Sequence, residues 1–220
     1  MPHDSPIESS GTPHRHPFQP DDPEPATYHE FLGVALRELL IEKGVFTADE
    51  ERRKIEELQA ATPATGARIC ARAWVDEGFT ARLLADANAA IRELGIEPAH
   101  PMIVLENRPG RHNVIVCTLC SCYPRMLLGP QPAWYKSANY RARVVREPRT
   151  VLAEFGTRLP DDCEIVVHDS TAEMRYMVLP QRPAGTEGWS EQRLAGLITR
   201  DTLIGVAPAL DPGASDPAGA

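Results

Sequence analysis

Apolar residues recur at helical spacing through the first half of the chain. The stripe from Phe31 to Leu40 places its apolar residues on one face of a helix. Thr27 and Glu30 stand just before it in the spacing of a capping box, and Gly44 suits the residue that ends a helix. The same pattern predicts further helices at 47–58, 69–74 and 79–94. We therefore expect residues 27–100 to form a helical region.

The pattern changes after residue 100, where short apolar runs replace the helical stripe. These runs predict strands at 102–106, 114–116, 165–168, 175–179 and 203–206. Helices are predicted between them at 149–155 and 190–199. The expected fold class is α+β, with an N-terminal helical layer followed by a small mixed sheet and flanking helices. Residues 101–208 would form this α+β domain.

The two ends of the chain lack an apolar period. Residues 1–26 are rich in Pro, Ser, His and Asp and predict a disordered tail, and residues 209–220 predict a flexible one.

The net charge of −8 argues against nucleic acid and against an anionic membrane as main partner. No apolar run is long enough to cross a bilayer, and the start of the chain has no secretory signal pattern. A cytoplasmic location is expected.

Three of the five cysteines fall within six positions, at Cys117, Cys120 and Cys122. A disulfide between any two of them leaves the third unexplained. The spacing of Cys117 and Cys120 also occurs in redox pairs, but those usually open a helix, whereas this one ends a predicted strand. Metal binding fits three close thiols better, because thiolate is a strong ligand.

The metal alternatives differ in the ligands they need. Structural zinc requires four protein ligands, so Cys163, Cys70 or His112 would have to complete the set. An iron–sulfur cluster has the same shortfall. A non-catalytic zinc-binding subunit is therefore one possible function at this point.

The spacing of Cys120 and Cys122 allows a different ligand set. A tight wrap of the chain directs the amide nitrogens of Ser121 and Cys122 at the same ion as the two sulfurs. Cys117 then approaches from one side and leaves the opposite side open, as catalysis requires. An amide nitrogen binds only when deprotonated, which favours a strongly Lewis-acidic ion such as trivalent iron or cobalt.

The segment VCTLCSCYP resembles the metal-binding motif of nitrile hydratase α subunits, which the catalytic subunit of thiocyanate hydrolases shares. The segments ARAWVDEGFTARLLADANAAIRELG and TEGWSEQRLAGLITRDTLIGV extend the similarity to about residues 28–207. The resemblance implies the fold of that subunit. It also implies hydration of a nitrile to the amide at a low-spin Co(III) centre.

The resemblance also implies a role for each residue of the motif. Cys117 matches the axial thiolate, Cys120 the cysteine that is oxidised to sulfinate, and Cys122 the one oxidised to sulfenate. Ser121 and Cys122 match the residues that supply amide nitrogens. The sulfenate oxygen on Cys122, or a water that it activates, would attack the nitrile carbon.

The resemblance further implies the cofactor and the partners. Thr118 and Tyr123 match the cobalt version of the motif, whereas the iron version tends to have Ser and Thr there. Non-corrin Co(III) is therefore expected, with Fe(III) as the alternative. The expected partners are a β-type subunit, as one chain or two smaller ones, and a metallochaperone that inserts cobalt.

Arg125 departs from the family pattern, which has tryptophan at this position in ordinary nitrile hydratases. Arginine makes the pocket more polar and positive, which suits a polar or heteroaromatic nitrile, or thiocyanate in the alternative function. Pairing of Arg125 with an acidic residue of a partner chain is the structural alternative. Glu106 matches a family position near the pocket, where it orients water or substrate or merely caps a turn.

His168 and Asp169 together suggest a general base. Adjacent residues on a strand point to opposite faces, however, so the pair is expected to be structural.

Overall fold

The computed structural model describes residues 27–120 and 122–213. It contains the helices α1 Tyr28–Glu42, α2 Ala48–Ala60, α3 Ala64–Val75, α4 Glu77–Ala85, α5 Ala87–Glu93, α6 Arg125–Leu128, α7 Ala133–Lys136, α8 Ala138–Arg143, α9 Pro148–Glu154, α10 Glu191–Ala195 and α11 Arg200–Ile204. The strands are β1 Met102–Glu106, β2 Arg111–Val116, β3 Glu164–Asp169 and β4 Arg175–Leu179. None of the helices in these ranges is long and apolar enough to cross a membrane. The predicted tail 1–26 and the end of the other, 214–220, lie outside the described residues.

The chain divides into two compact units between Glu51 and Arg52. In the first, Thr27 and Glu30 form the predicted capping box at the start of α1. Helix α1 buries none of its residues, and several of its large apolar side chains are exposed, namely Tyr28, Phe31, Leu32, Val34, Leu36 and Leu39. An ion pair between Arg37 and Glu51 joins α1 to the start of α2 within this unit.

Side-chain caps start two consecutive helices of the second unit, α4 at Asp76 and α5 at Asp86. The helix predicted over 79–94 is divided into α4 and α5, because Asp86 leaves helical geometry at φ −145° and ψ 91°. The carboxylate of Asp86 accepts a hydrogen bond from the amide of Ala89, which caps α5. The apolar period continues across this break, so periodicity alone could not reveal it.

The strands form two separate parallel pairs, β1 with β4 and β2 with β3. The expectation of one mixed sheet is therefore wrong, although the α+β class is confirmed. Parallel neighbours need a long crossover, and helices α6 to α9 provide it between β2 and β3. In the register of the second pair, Val116 lies opposite Asp169 at the carboxyl ends of both strands.

The strand predicted at 203–206 is wrong, because this segment forms the end of helix α11 and the turn after it. Thr199 and Thr202 form a capping box that starts the helix, and Gly205 ends it in the left-handed conformation at φ +89°. The side chains of Leu203 and Ile204 are fully buried. A short apolar run fits a buried helix as well as a buried strand, so the run alone does not distinguish them. Here the capping box at Thr199 and Thr202 starts a helix.

Candidate metal centre

The cysteine loop, residues 117–122, follows directly on strand β2. Residues 114–116 of β2 are fully buried, so the end of the strand is held in the core. Cys117 is also buried, at 1% exposure, while Cys120 is exposed and Cys122 is partly buried. The loop thus runs from the core to the surface. Ser121 lies outside the described residues, so its role as a ligand stays a prediction.

The three sulfur atoms of the loop lie close together. Cys117 Sγ is 3.2 Å from Cys120 Sγ, which is 3.1 Å from Cys122 Sγ. A disulfide joins sulfurs about 2.0 Å apart, so these are separate thiols. Two sulfurs that each bind one ion at about 2.3 Å lie about 3.3 Å apart at a right angle, and about 3.8 Å apart in a tetrahedron. The observed spacing fits right-angle binding better than the tetrahedron of structural zinc.

Asp169 and Arg141 hold the backbone of the loop at Thr118. The Asp169 carboxylate accepts hydrogen bonds from the Thr118 amide at 2.9 Å and from its hydroxyl at 2.5 Å. Arg141 Nη1 donates to the Thr118 carbonyl oxygen at 3.0 Å. The pairing of β2 with β3 brings Asp169 to this place. All polar groups of Thr118 are therefore bound, and its position beside Cys117 is fixed.

Two tyrosines hold the chain on either side of the sulfurs. The Tyr135 hydroxyl donates to the Cys122 carbonyl at 3.1 Å, and the Tyr140 hydroxyl donates to the Ile115 carbonyl at 2.8 Å. Burial raises the pKa of both phenols, so both remain donors. Trp134 packs edge-on against Tyr140 with ring centroids 4.9 Å apart. Trp134, Tyr135 and Tyr140 together give the loop a rigid support.

The electrostatics of the loop keep the Cys122 thiol protonated until a cation binds. Burial raises the pKa of the Cys122 thiol to about 12, and its hydrogen bond with Cys120 acts in the same direction. The charge of Arg175 opposes this rise. A thiol binds metal as the thiolate, and a metal ion supplies the positive charge that deprotonation requires here. The donor set therefore fits a metal ion.

The side chains considered as a fourth zinc ligand lie elsewhere. Cys70 is buried in α3 and donates to the Val178 carbonyl, and burial raises the pKa of its thiol. Cys163 contacts the Glu164 carbonyl. Both ring nitrogens of His112 are already hydrogen-bonded. Across 27–120 and 122–213, Cys117, Cys120 and Cys122 form the one group of three or more metal-ligating side chains.

The family model for the nitrile hydratase α chain matches residues 27–207, nearly all of the described chain. This chain belongs to the nitrile hydratase α-chain family. The low-molecular-weight cobalt-containing nitrile hydratase subunit alpha of Rhodococcus rhodochrous is 52% identical over 79% of this chain and 85% of its own length. The thiocyanate hydrolase subunit gamma of Thiobacillus thioparus is 44% identical over 81% of this chain and 79% of its own length.

Solved structures of the nitrile hydratase family share the fold. A recombinant thiocyanate hydrolase with partially modified cobalt centres matches with a TM-score of 0.79 and 42% identity, over 86% of this chain and 93% of the other. An Fe-type nitrile hydratase from Comamonas testosteroni Ni1, as a double mutant, matches at 0.76 and 46%, over 87% and 95%. The predicted resemblance is thus confirmed, and the family includes both metals.

Arg125 lies near the cysteine loop along the chain, but its side chain is directed towards α2. It is the first residue of α6, it is exposed, and its Nε donates to the Leu58 carbonyl at 3.2 Å. It lines a cavity of about 270 Å³ whose walls are partly apolar, at Leu58 and Leu127. Tyr123 also lines this cavity, which brings its edge next to the loop.

Glu106 lies beside a cavity different from the one that Arg125 and Tyr123 line. It ends β1, where it lines another cavity with Trp74 and Thr80, and its carbonyl accepts from Asn113 Nδ2 at 2.8 Å. None of the three cysteines of the loop lines that cavity. Its proposed role in orienting water or substrate stays a prediction.

Sequence reasoning missed the residues that hold the loop, Asp169, Arg141 and Tyr135. Asp169 and His168 point apart as expected, since His168 Nε2 bonds Asn113 Oδ1 while Asp169 binds Thr118. Asp169 is 51 positions from Thr118. The available signal was its place at the end of a strand that pairs with β2.

Proposed function

We propose that this chain is the catalytic α-type subunit of a nitrile hydratase that converts a nitrile to the corresponding amide. The observation that carries the proposal is the group of three separate thiols at the end of β2, whose sulfurs are 3.2 and 3.1 Å apart in two of the three pairs. Cys117, Cys120 and Cys122 would hold the metal, together with the amide nitrogens of Ser121 and Cys122. A trivalent ion there supplies Lewis acidity towards the nitrile nitrogen.

The work of the protein chain is to present these donors in a fixed arrangement. Cys117 is held by the buried end of β2, and Thr118 by Asp169 and Arg141. Tyr135 fixes the carbonyl of Cys122. Donors that are held before the ion arrives lose little freedom on binding it, so the ligand set is preorganised.

We propose cobalt as the metal, non-corrin Co(III), with Fe(III) as the alternative. Thr118 and Tyr123 support it, and so does the 52% identity with a relative named cobalt-containing. Elemental analysis of the purified protein tests this choice. A stoichiometric cobalt content is expected, and zinc alone would contradict the proposal.

Oxidation of two cysteines is a further part of the proposal. Cys120 as sulfinate and Cys122 as sulfenate add three oxygen atoms to the tryptic peptide of residues 112–125. Mass spectrometry of that peptide tests this directly. A peptide without added oxygen, from protein that hydrates nitriles, would show that the modification is not needed.

The proposed partner is a β-type subunit, as one chain or two smaller ones, and a metallochaperone would insert cobalt. The names of the relatives, which call them subunits, support assembly with other chains. The exposed apolar side chains of α1 are compatible with burial in a complex. Co-expression with candidate partner chains, followed by size-exclusion chromatography, tests this assembly.

The proposed substrate is a polar or heteroaromatic nitrile. The cavity beside the loop carries the basic side chains of Lys54, His100 and Arg125 among apolar walls. Its apolar part suits a ring, and its basic groups suit hydrogen-bond acceptors on that ring. A heteroaromatic nitrile is therefore expected to have a higher kcat/KM than an aliphatic nitrile.

Hydrolysis of thiocyanate to carbonyl sulfide and ammonia is the second candidate function. Arg125 favours it, because a cation suits an anionic substrate, and so does the 44% identity with a thiocyanate hydrolase subunit. Assays of thiocyanate beside a panel of nitriles, with the natural chain and Arg125→Trp, separate the two functions. Absence of thiocyanate turnover would exclude the second, and an unchanged panel in the variant would exclude a role for Arg125.

A further inference from the structure

A second cavity, of about 640 Å³, lies at the opposite end of β2 from the cysteine loop. Its walls come from the turn 107–112, the segment 156–163 and residues near 180 and 208. None of the three cysteines of the loop lines it. Strand β2 rises about 3.3 Å per residue, which separates Arg111 from Cys117 by about 20 Å. This basic cavity, as we call it, is therefore distinct from the metal centre.

Three arginines line the basic cavity, Arg108, Arg111 and Arg158. Asp162 also lines it, and Arg111 lies 3.7 Å from the Glu164 carboxylate. The guanidinium groups of Arg108 and Arg158 have no hydrogen-bond or ion-pair partner within the described part of the chain. Positive charge is thus in excess at this place, although the chain as a whole carries −8.

The floor of the basic cavity does not offset that charge. His112 is buried there, and its ring bonds Asn107 Nδ2 and the Gly205 carbonyl as a neutral imidazole. One wall is held in place by Arg149, whose Nη1 donates to the carbonyls of Leu159 and Pro160 at 3.1 and 2.9 Å. The cavity is therefore preformed on its 159–163 side.

We propose that the basic cavity binds a small molecule with two or more anionic oxygen groups, either phosphoryl or carboxylate. Guanidinium groups bind both kinds of oxygen in pairs, with charge-assisted hydrogen bonds. The volume lies within the range of small-molecule sites, about 300–1,000 Å³. The concave shape suits such a ligand better than the surface of a partner protein.

Isothermal titration calorimetry of the full chain in complex with its partner subunit tests the proposal, with pyrophosphate and citrate as probes. Either Arg108→Gln or Arg158→Gln should weaken binding about tenfold, and the double variant about a hundredfold, because each removes charge-assisted hydrogen bonds. Arg53→Gln on the exposed part of α2 makes the same charge change elsewhere and should leave the affinity unchanged. Binding of one probe alone would identify the phosphoryl or the carboxylate class.

The thiol of Cys163, which lines the basic cavity, locates the ligand independently. Bound pyrophosphate or citrate should slow its alkylation by iodoacetamide, read from the tryptic peptide 159–175, and Arg108→Gln should remove this protection. Three results would overturn the proposal. They are no binding of either probe, an equal loss of affinity in Arg53→Gln, and binding to the isolated chain that disappears in the complex because the partner protein covers the cavity.

Discussion

The two ends of strand β2 hold their polar groups in opposite ways. At the amino end, His112 and Asn113 are buried, and their side chains are bound to Asn107, Gly205 and the Glu106 carbonyl. At the carboxyl end, Asp169 accepts hydrogen bonds from the Thr118 amide and hydroxyl, and Arg141 and Tyr135 donate to backbone carbonyls of the loop. None of these hydrogen bonds involves a sulfur atom.

The difference separates groups that stabilise the fold from groups kept for chemistry. A polar network whose members are all bound is costly to disturb, and its loss affects the whole domain. A loop whose backbone is held by neighbours can instead leave its sulfurs available for a metal ion. Changes at the amino end should therefore affect the free energy of unfolding, and changes at the carboxyl end should affect metal content.

The largest effect is expected from Cys122→Ser. A serine hydroxyl is a far weaker ligand than a thiolate, so the metal content should fall below about one tenth and the activity about a thousandfold. Elemental analysis and a nitrile assay measure both, and the melting temperature before metal loading should change little. Cys163→Ser is the matched control. Loss of metal in that control would instead support a zinc site with Cys163 as its fourth ligand.

At the amino end, Gly205→Ala should cause the largest loss of stability. A Cβ at this position would overlap the carbonyl oxygen of Asn113, and the residue has φ +89°. The change should lower the free energy of unfolding by about 3 kcal/mol or more, measured by urea denaturation. Gly185→Ala has a similar φ of +76° but open space around the added Cβ, and should cost about 1 kcal/mol. Equal losses of stability in the two variants would show that the backbone conformation, and not the contact with β2, causes the effect of Gly205→Ala.

Asp169→Asn should act on the metal centre more than on the fold. The amide oxygen still accepts from the Thr118 amide, and the new NH₂ group can donate to the Thr118 hydroxyl, but the negative charge that strengthens both hydrogen bonds is lost. Metal affinity should fall about 10–100-fold, as for other residues that orient ligands, and the free energy of unfolding by about 1–3 kcal/mol. Thr118→Val keeps the amide hydrogen bond and should lose less. A full metal affinity in Asp169→Asn would show that Asp169 serves the fold alone.

Local signals made much of this structure predictable from sequence. The capping box at Thr27, strands β1 and β4, and the proximity of the three cysteines all depend on residues only a few positions apart. Interactions between distant segments were not predictable. Asp169 reaches Thr118 through strand pairing across 51 positions, and Gly205 meets Asn113 because a helix ends where a strand was expected.

The smallest effect is a change in pH dependence, expected from His112→Gln. Burial lowers the pKa of His112, and its ring is held neutral between Asn107 and Gly205. The unfolded chain takes up a proton near pH 6.5, before the folded one does, so stability falls as the pH drops through that value. The variant should be less stable at about pH 8, since it loses hydrogen bonds, but its free energy of unfolding should fall less on acidification to about pH 5.

His168→Gln provides the comparison. Burial also lowers the pKa of His168, but this residue is only half-buried and should contribute less to the pH dependence of stability. An unchanged acid sensitivity in His112→Gln would place the titrating group outside the amino-end network.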